Sequence, residues 1–248
     1  MGNCGEGGRN SSVPAATAGM RPRFPTADDI AEGVKHMLMT ARGTERWVSC
    51  MAFLMFISVV VHPTPAPARS RDDWQQPQRV IRDLNVEPGD RIADVGCGEG
   101  YFTFRVARQV GQEGQVLATD INKSAVDSVR EKAKKEELSR VKAVHSRPAD
   151  AMLPAQALDG VLLCLVLHHA DEDAWKGLMD SIVKGLQPGG YLFVLDFRKV
   201  RDPLFHSYEQ LVSRETAVEL ARDAGLELDA EFYYLEHQYF LRFRKPTD

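Results

Sequence analysis

From Arg71 onward the chain alternates between two hydrophobic periods. Short runs rich in Val, Ile and Leu read as buried strands, and longer stretches with apolar residues every three or four positions read as helices. The pattern predicts a helix over 74–85, a strand over 90–95 and a helix over 101–111. A strand over 115–120, a helix over 123–138 and a strand over 141–145 follow. Next come a strand over 159–166, a helix over 172–187, a strand over 190–196 and a helix over 214–224. Two strands near 228–235 and 238–244 close the chain. Strands separated by whole helices pair in parallel through right-handed crossovers. The last two strands have too little chain between them for a crossover, so they pair as an antiparallel hairpin. The expected class is α/β, with a mostly parallel Rossmann-like sheet ended by a C-terminal antiparallel hairpin.

The pattern upstream is different. Residues 1–46 are rich in Gly, Ser, Pro, Ala and Arg, have no sustained apolar period, and read as a disordered extension. Residues 47–61, Trp-Val-Ser-Cys-Met-Ala-Phe-Leu-Met-Phe-Ile-Ser-Val-Val-Val, carry no charge. Arg42 and Arg46 precede this run, and a Pro/Ala linker with Ala66 and Ala68 at the A-x-A spacing follows it. That layout reads 47–68 as a signal or anchor segment, although the run falls short of the roughly 20 residues of a bilayer span. The chain is then exported or membrane-associated if 42–68 acts in this way, and cytoplasmic otherwise. Residues 69–248 form the folded domain.

Composition narrows the partners. A formal net charge of −4 supplies no basic field for a nucleic-acid backbone, so none is expected as a partner. Cys4, Cys50, Cys97 and Cys164 are too scattered for a disulfide framework or a metal site, and no metal is expected.

The candidate chemistry lies at the ends of strands. Ile92-Ala93-Asp94-Val95 runs directly into Gly96-Cys97-Gly98-Glu99-Gly100 and a helix. Such a loop lets a ligand touch the main chain and offers the free N–H groups of the helix start. The spacing is G-x-G-x-G, with Tyr101 standing where a dinucleotide fingerprint puts its third glycine, which argues against NAD. Asp120 closes the second strand, where an acid can accept hydrogen bonds from both hydroxyls of a ribose. Pro188-Gly189-Gly190 reads as a turn opening the fifth strand.

On these motifs residues 74–244 resemble the class I S-adenosylmethionine-dependent methyltransferases. The runs from Ala93 to Thr103 and Leu167-His168-His169 are similar to a small-molecule group that includes quinone-biosynthesis and arsenite methyltransferases. The resemblance implies S-adenosylmethionine as cofactor. It places the methionine part on Asp94 and the backbone of Gly96, Gly98 and Gly100, with Cys97 filling space beside it. The ribose falls on Asp120, the adenine on Ile121, Ala149 and Asp150, and the wall beside the sulfonium on Leu165 and Val166.

Methyl transfer is an in-line displacement at a carbon already activated by a cationic sulfur, so alignment carries most of the rate. A base is needed only where the acceptor must lose a proton. His168, His169 and Asp196 follow strands at the expected crevice and are the catalytic candidates, with helix capping as the competing role. Acceptor selection is expected from Trp74, Gln75, Gln76, Tyr101 and the link from Phe197 to Ser213. The acceptor is expected to be a small molecule, lipid-like if 47–61 holds the chain at a membrane. A noncatalytic S-adenosylmethionine-binding protein is the alternative, with an NAD-dependent oxidoreductase behind it.

Overall fold

The computed structural model describes residues 70–200 and 207–247, together with positions 28, 32, 33, 35, 36 and 39. The chain divides into two compact units, Met1–Pro67 and Ala68–Asp248. In the first unit the described positions, Asp28 to Met39, are helical. The 47–68 segment expected as a signal or anchor and most of the 1–46 extension lie outside the described residues. Among the described residues no helix is long and apolar enough to cross a membrane.

In the second unit α1 (Arg71–Gln75) and α2 (Pro77–Asp83) lead into β1 (Arg91–Val95), α3 (Thr103–Gln109), β2 (Gln115–Asp120), α4 (Lys123–Lys135) and β3 (Val141–His145). They are followed by β4 (Leu158–Cys164), a 3-10 turn (Leu167–His169), α5 (Glu172–Gly185), β5 (Leu186–Phe197), α6 (Arg214–Asp223), β6 (Glu227–Phe232) and β7 (Gln238–Arg244). One sheet takes all seven strands in the order β3-β2-β1-β4-β5-β7-β6. Strands β1 to β5 pair in parallel, while β7 runs antiparallel to both β5 and β6. The terminal hairpin is therefore present, with its second strand inserted between the first and the parallel block.

Because successive side chains on a strand face opposite ways, each central strand feeds two cores. Ile92 and Leu162 join the cluster under α2, α3 and α4, whereas Ala93, Val95, Val161 and Leu163 join the one under α5 and α6. This double burial explains why β4 reads as an unbroken Val/Leu run. Each of these Val, Leu and Ile side chains contributes roughly 1.5–3 kcal/mol on burial.

Two elements depart from the sequence pattern. The helix expected over 74–85 breaks at Gln76, whose φ of 47° ends α1 before Pro77 begins α2. Proline has no N–H to continue a helix but suits a first turn, so the chain restarts there. Pro188-Gly189-Gly190 lies within β5 rather than in a turn before it. Gly189 N–H donates to the Lys245 carbonyl and Lys245 N–H to the Gly190 carbonyl, so the C-terminal end of the chain pairs with this stretch.

Crossovers leave β1 toward β2 on one side, while β4 lies on its other side. A parallel sheet opens a crevice beyond the carboxyl ends of its strands at such a switch. Here that crevice is flanked by the loop after Val95 and the turn after Cys164.

Candidate functional site

A cavity of about 1100 Å³ occupies the crevice. Its lining includes Asp94 from the end of β1, the loop Gly96 to Gly100, Asp120 from the end of β2, and Cys164, Leu165 and His169 beyond β4. Nine of the site candidates singled out in the sequence are thus brought together: Asp94, Gly96, Cys97, Gly98, Gly100, Tyr101, Asp120, Leu165 and His169.

The loop is held by its own backbone and by one carboxylate. Gly96 N–H and Cys97 N–H both donate to the Thr119 carbonyl, at 2.7 and 3.0 Å. Asp120 Oδ2 accepts from Gly98 N–H at 2.8 Å and its Oδ1 accepts from Asn122 N–H at 2.8 Å. Asp120 therefore pins the glycine loop to β2 as well as facing the cavity, and each of its oxygens retains a lone pair. Two glycines are sterically required. At Gly96, with φ +70°, a Cβ would lie 2.3 Å from Val166 Cγ2. At Gly100, with φ +82°, it would lie 2.4 Å from the buried Phe104 ring. Gly100→Ala should cost roughly 3 kcal/mol from the positive φ and overpacking together. Urea unfolding monitored by circular dichroism measures this; an unchanged midpoint would contradict the account of the loop.

Asp94 is buried, and its Oδ2 accepts from the Thr103 hydroxyl at 2.6 Å. Desolvation pushes its carboxyl up to about 6, against the lowering influence of the Thr103 hydrogen bond and of Arg71. The Cys97 thiol is pushed up by burial and by the charges of Asp94 and Asp120, so it stays protonated and fills space. Leu165 takes φ 59°, a left-handed conformation uncommon for a residue with a side chain, and its N–H donates to the Leu195 carbonyl.

The other candidates sit apart from the cavity lining. Val166 packs against Gly96. Ile121 is 58% exposed. Ala149 is exposed, and Asp150 is half-buried with its Oδ1 accepting from Met152 N–H at 2.8 Å, a local turn contact. His168 and Asp196 form a buried pair, with His168 Nδ1 2.5 Å from Asp196 Oδ1. Asp196 also accepts from the N–H groups of Leu167 and Phe197, so the pair ties the turn after β4 to the end of β5. The neighbouring His169 is exposed and faces the cavity. Among the described residues no group of His, Cys, Asp and Glu is arranged to hold a metal ion.

A family model described as a methyltransferase domain matches residues 92–190, the span from β1 into β5 that builds this crevice. Over that span the chain is similar to methyltransferases that use S-adenosylmethionine. The ubiquinone/menaquinone biosynthesis C-methyltransferase UbiE of Teredinibacter turnerae is 34% identical over 130 residues, 52% of this chain and 51% of that protein. The chain thus spans about half the length of the curated relatives it matches. A SAM-dependent methyltransferase from Aquifex aeolicus superposes with a TM-score of 0.66 at 21% identity, covering 77% of this chain and 97% of that one. The cyclase SpnF superposes with a TM-score of 0.59 at 21% identity, covering 76% and 89%. Proteins named for different reactions share this fold, so the site must carry the functional argument.

S-adenosylmethionine is the cofactor of such methyltransferase domains, and several residues around the crevice were not singled out by motif. Thr103 was legible only as part of the glycine run, yet it is the hydroxyl that fixes Asp94. Arg71 on α1 lines the same cavity and had no sequence signal at all. Tyr101, expected to select the acceptor, lines the cavity, donates from its hydroxyl to Asp72 Oδ1 at 2.5 Å and carries the Arg71 guanidinium over its ring at 3.8 Å. Trp74 packs against Phe197, with ring centroids 5.8 Å apart.

Proposed function

We propose that this protein transfers the methyl group of S-adenosylmethionine to a small, quinone-like acceptor. What supports the donor is the pairing of two carboxylates, Asp94 and Asp120, at the ends of adjacent parallel strands with a glycine loop between them. One is buried and suited to an ammonium group; the other has free lone pairs suited to a vicinal diol. In this reading Gly96, Gly98 and Gly100 let the methionine chain approach the backbone. Ile121 lies against the adenine, Ala149 and Asp150 meet its edge, and Leu165 and Val166 wall the sulfonium. What supports the acceptor class is the likeness to a quinone-biosynthesis C-methyltransferase.

The acceptor nucleophile attacks the methyl carbon in line with the departing sulfur. The carbon–sulfur bond breaks, its electron pair returns to sulfur, and S-adenosylhomocysteine leaves. Where the acceptor carries an acidic proton, His169 is the imidazole on the cavity able to take it. His168 and Asp196 act by holding that turn. His169→Ala should lower turnover by about a hundredfold or more, with S-adenosylhomocysteine affinity unchanged, as read by steady-state rates beside calorimetry. Unaltered turnover would remove His169 from the reaction.

Residues 47–61 hold the protein at a membrane, where quinone-like acceptors partition. Terminal sequencing of the membrane fraction separates an anchor from a signal cleaved before Arg69. Incubation with radiolabelled S-adenosylmethionine and reduced quinone precursors, followed by organic extraction, tests the activity. Label in the extract is expected. Binding of the cofactor with no transfer to these or to extracted metabolites would favour the noncatalytic alternative.

A further inference from the structure

We propose that Arg71 receives the carboxylate at the amino-acid end of the methyl donor, and that Gln75 and Gln238 position it. The inference rests on the cofactor reading above and extends it to a helix outside the glycine motif.

Arg71 and Gln75 are four residues apart on α1 and so share one face of it. Gln75 is fully buried. Its Oε1 accepts from Arg71 Nε at 2.5 Å, while its Nε2 contacts Cys164 Sγ and Gln238 Oε1, each at 3.4 Å. Gln238, also fully buried, lies on β7 opposite Phe197 at the end of β5. A chain of side-chain contacts therefore runs from the sheet to the guanidinium. Buried amides are costly unless partnered, so this network fixes α1 in one position.

The guanidinium is oriented but electrostatically uncommitted. It stacks over the Tyr101 ring, and its Nε is taken by Gln75. The nearby acid Asp72 is claimed by Arg105, with both of its oxygens 3.1 Å from Arg105 Nη2. Among the described residues no carboxylate forms an ion pair with Arg71. Its charge opposes the upward shift that burial gives the Asp94 carboxyl and the Cys164 thiol, and all three residues line the cavity at the ends of β1 and β4.

An α-amino-acid head group carries an ammonium and a carboxylate on one carbon. The cavity offers a buried carboxylate, Asp94, and an unpaired planar fork, Arg71, on the same wall system. Arginine is suited to a carboxylate because its parallel N–H groups match the two oxygens. The stacked, hydrogen-bonded side chain loses little freedom when it binds.

The test compares two ligands on the full chain by calorimetry. S-adenosylhomocysteine carries the amino-acid group, and 5′-methylthioadenosine keeps the adenosine and sulfur without it. Arg71→Met should weaken S-adenosylhomocysteine at least about tenfold and leave 5′-methylthioadenosine within about twofold. Gln75→Leu should show the same selectivity with a smaller loss. An Arg71→Met protein that binds S-adenosylhomocysteine as the wild type does, including one in which only the acceptor KM rises, overturns the proposal. Equal loss of both ligands also overturns it, by giving Arg71 and Gln75 a merely structural role. Failure of the cofactor reading looks different, since the wild type would then bind neither ligand.

Discussion

Asp94→Asn should make the empty protein more stable while removing its affinity for S-adenosylmethionine. Burial raises the Asp94 carboxyl from 3.8 to about 6. The folded value exceeds the unfolded one, so the native state holds the extra proton between those limits. Stability of the empty protein therefore falls as pH rises from about 4 to about 6 and stays reduced above that. A shift of this size corresponds to about 3 kcal/mol at neutral pH. Asn carries no charge and keeps an oxygen for the Thr103 hydroxyl, so it escapes the penalty. Thermal melts should show Asp94→Asn higher by several degrees at pH 7.5, with the gap closing toward pH 4. Binding runs the other way, because an ammonium group needs the ionised carboxylate. Wild-type affinity should rise with pH to a plateau above about 6, falling toward tenfold per unit below it, and the variant should lose about a hundredfold or more at pH 7.5. A variant that melts lower at pH 7.5, or still binds tightly, would sink this account of Asp94.

Asp196→Ala should produce the largest loss of stability in the domain. The carboxylate serves His168 Nδ1 and the N–H groups of Leu167 and Phe197, all in a buried setting. Removing it strands three donors, and breaking a buried pair of this kind costs about 3–5 kcal/mol. In a domain of this size that is roughly 10 °C in melting temperature. If Asp196 instead acted on the acceptor, the variant would melt near the wild type and lose turnover alone. Measuring melting temperature beside turnover at a permissive temperature separates the two roles.

The sheet was legible because its central strands are buried on both faces. Runs such as Val161 to Cys164 can be little else when bounded by helical stretches, and β2, β3 and β7 fall on their expected residues. The break at Gln76 was hidden because Pro77 suits a first helical turn as well as it ends a helix. Pro188-Gly189-Gly190 misled for a similar reason: turn residues also occupy irregular strand ends, and their pairing with Lys245 is a long-range event. In the site, Asp94, Asp120 and the glycines were readable because each is fixed by its own strand end. The division of His168 from His169 was not. Adjacent residues in a tight turn face different ways, and only the position of Asp196 on another strand decides which one turns inward. Arg71 was invisible for the same reason, since its place at the cavity depends on the helix break and on Gln238 far along the chain.

That dependence gives α1 a defined part in the fold. It is short, begins with a capping box between Ser70 and Asp73, and is held by polar contacts to Tyr101, Arg105, Cys164 and Gln238. Those contacts cover one wall of the cavity with side chains rather than with an inserted domain.

Calorimetric titration of the full chain with S-adenosylhomocysteine, with NAD as the comparison, tests the central claim most directly. Saturable one-to-one binding of S-adenosylhomocysteine, lost in Asp94→Asn, is the expected result, with no heat from NAD. Saturable binding of NAD with no response to S-adenosylhomocysteine would contradict it.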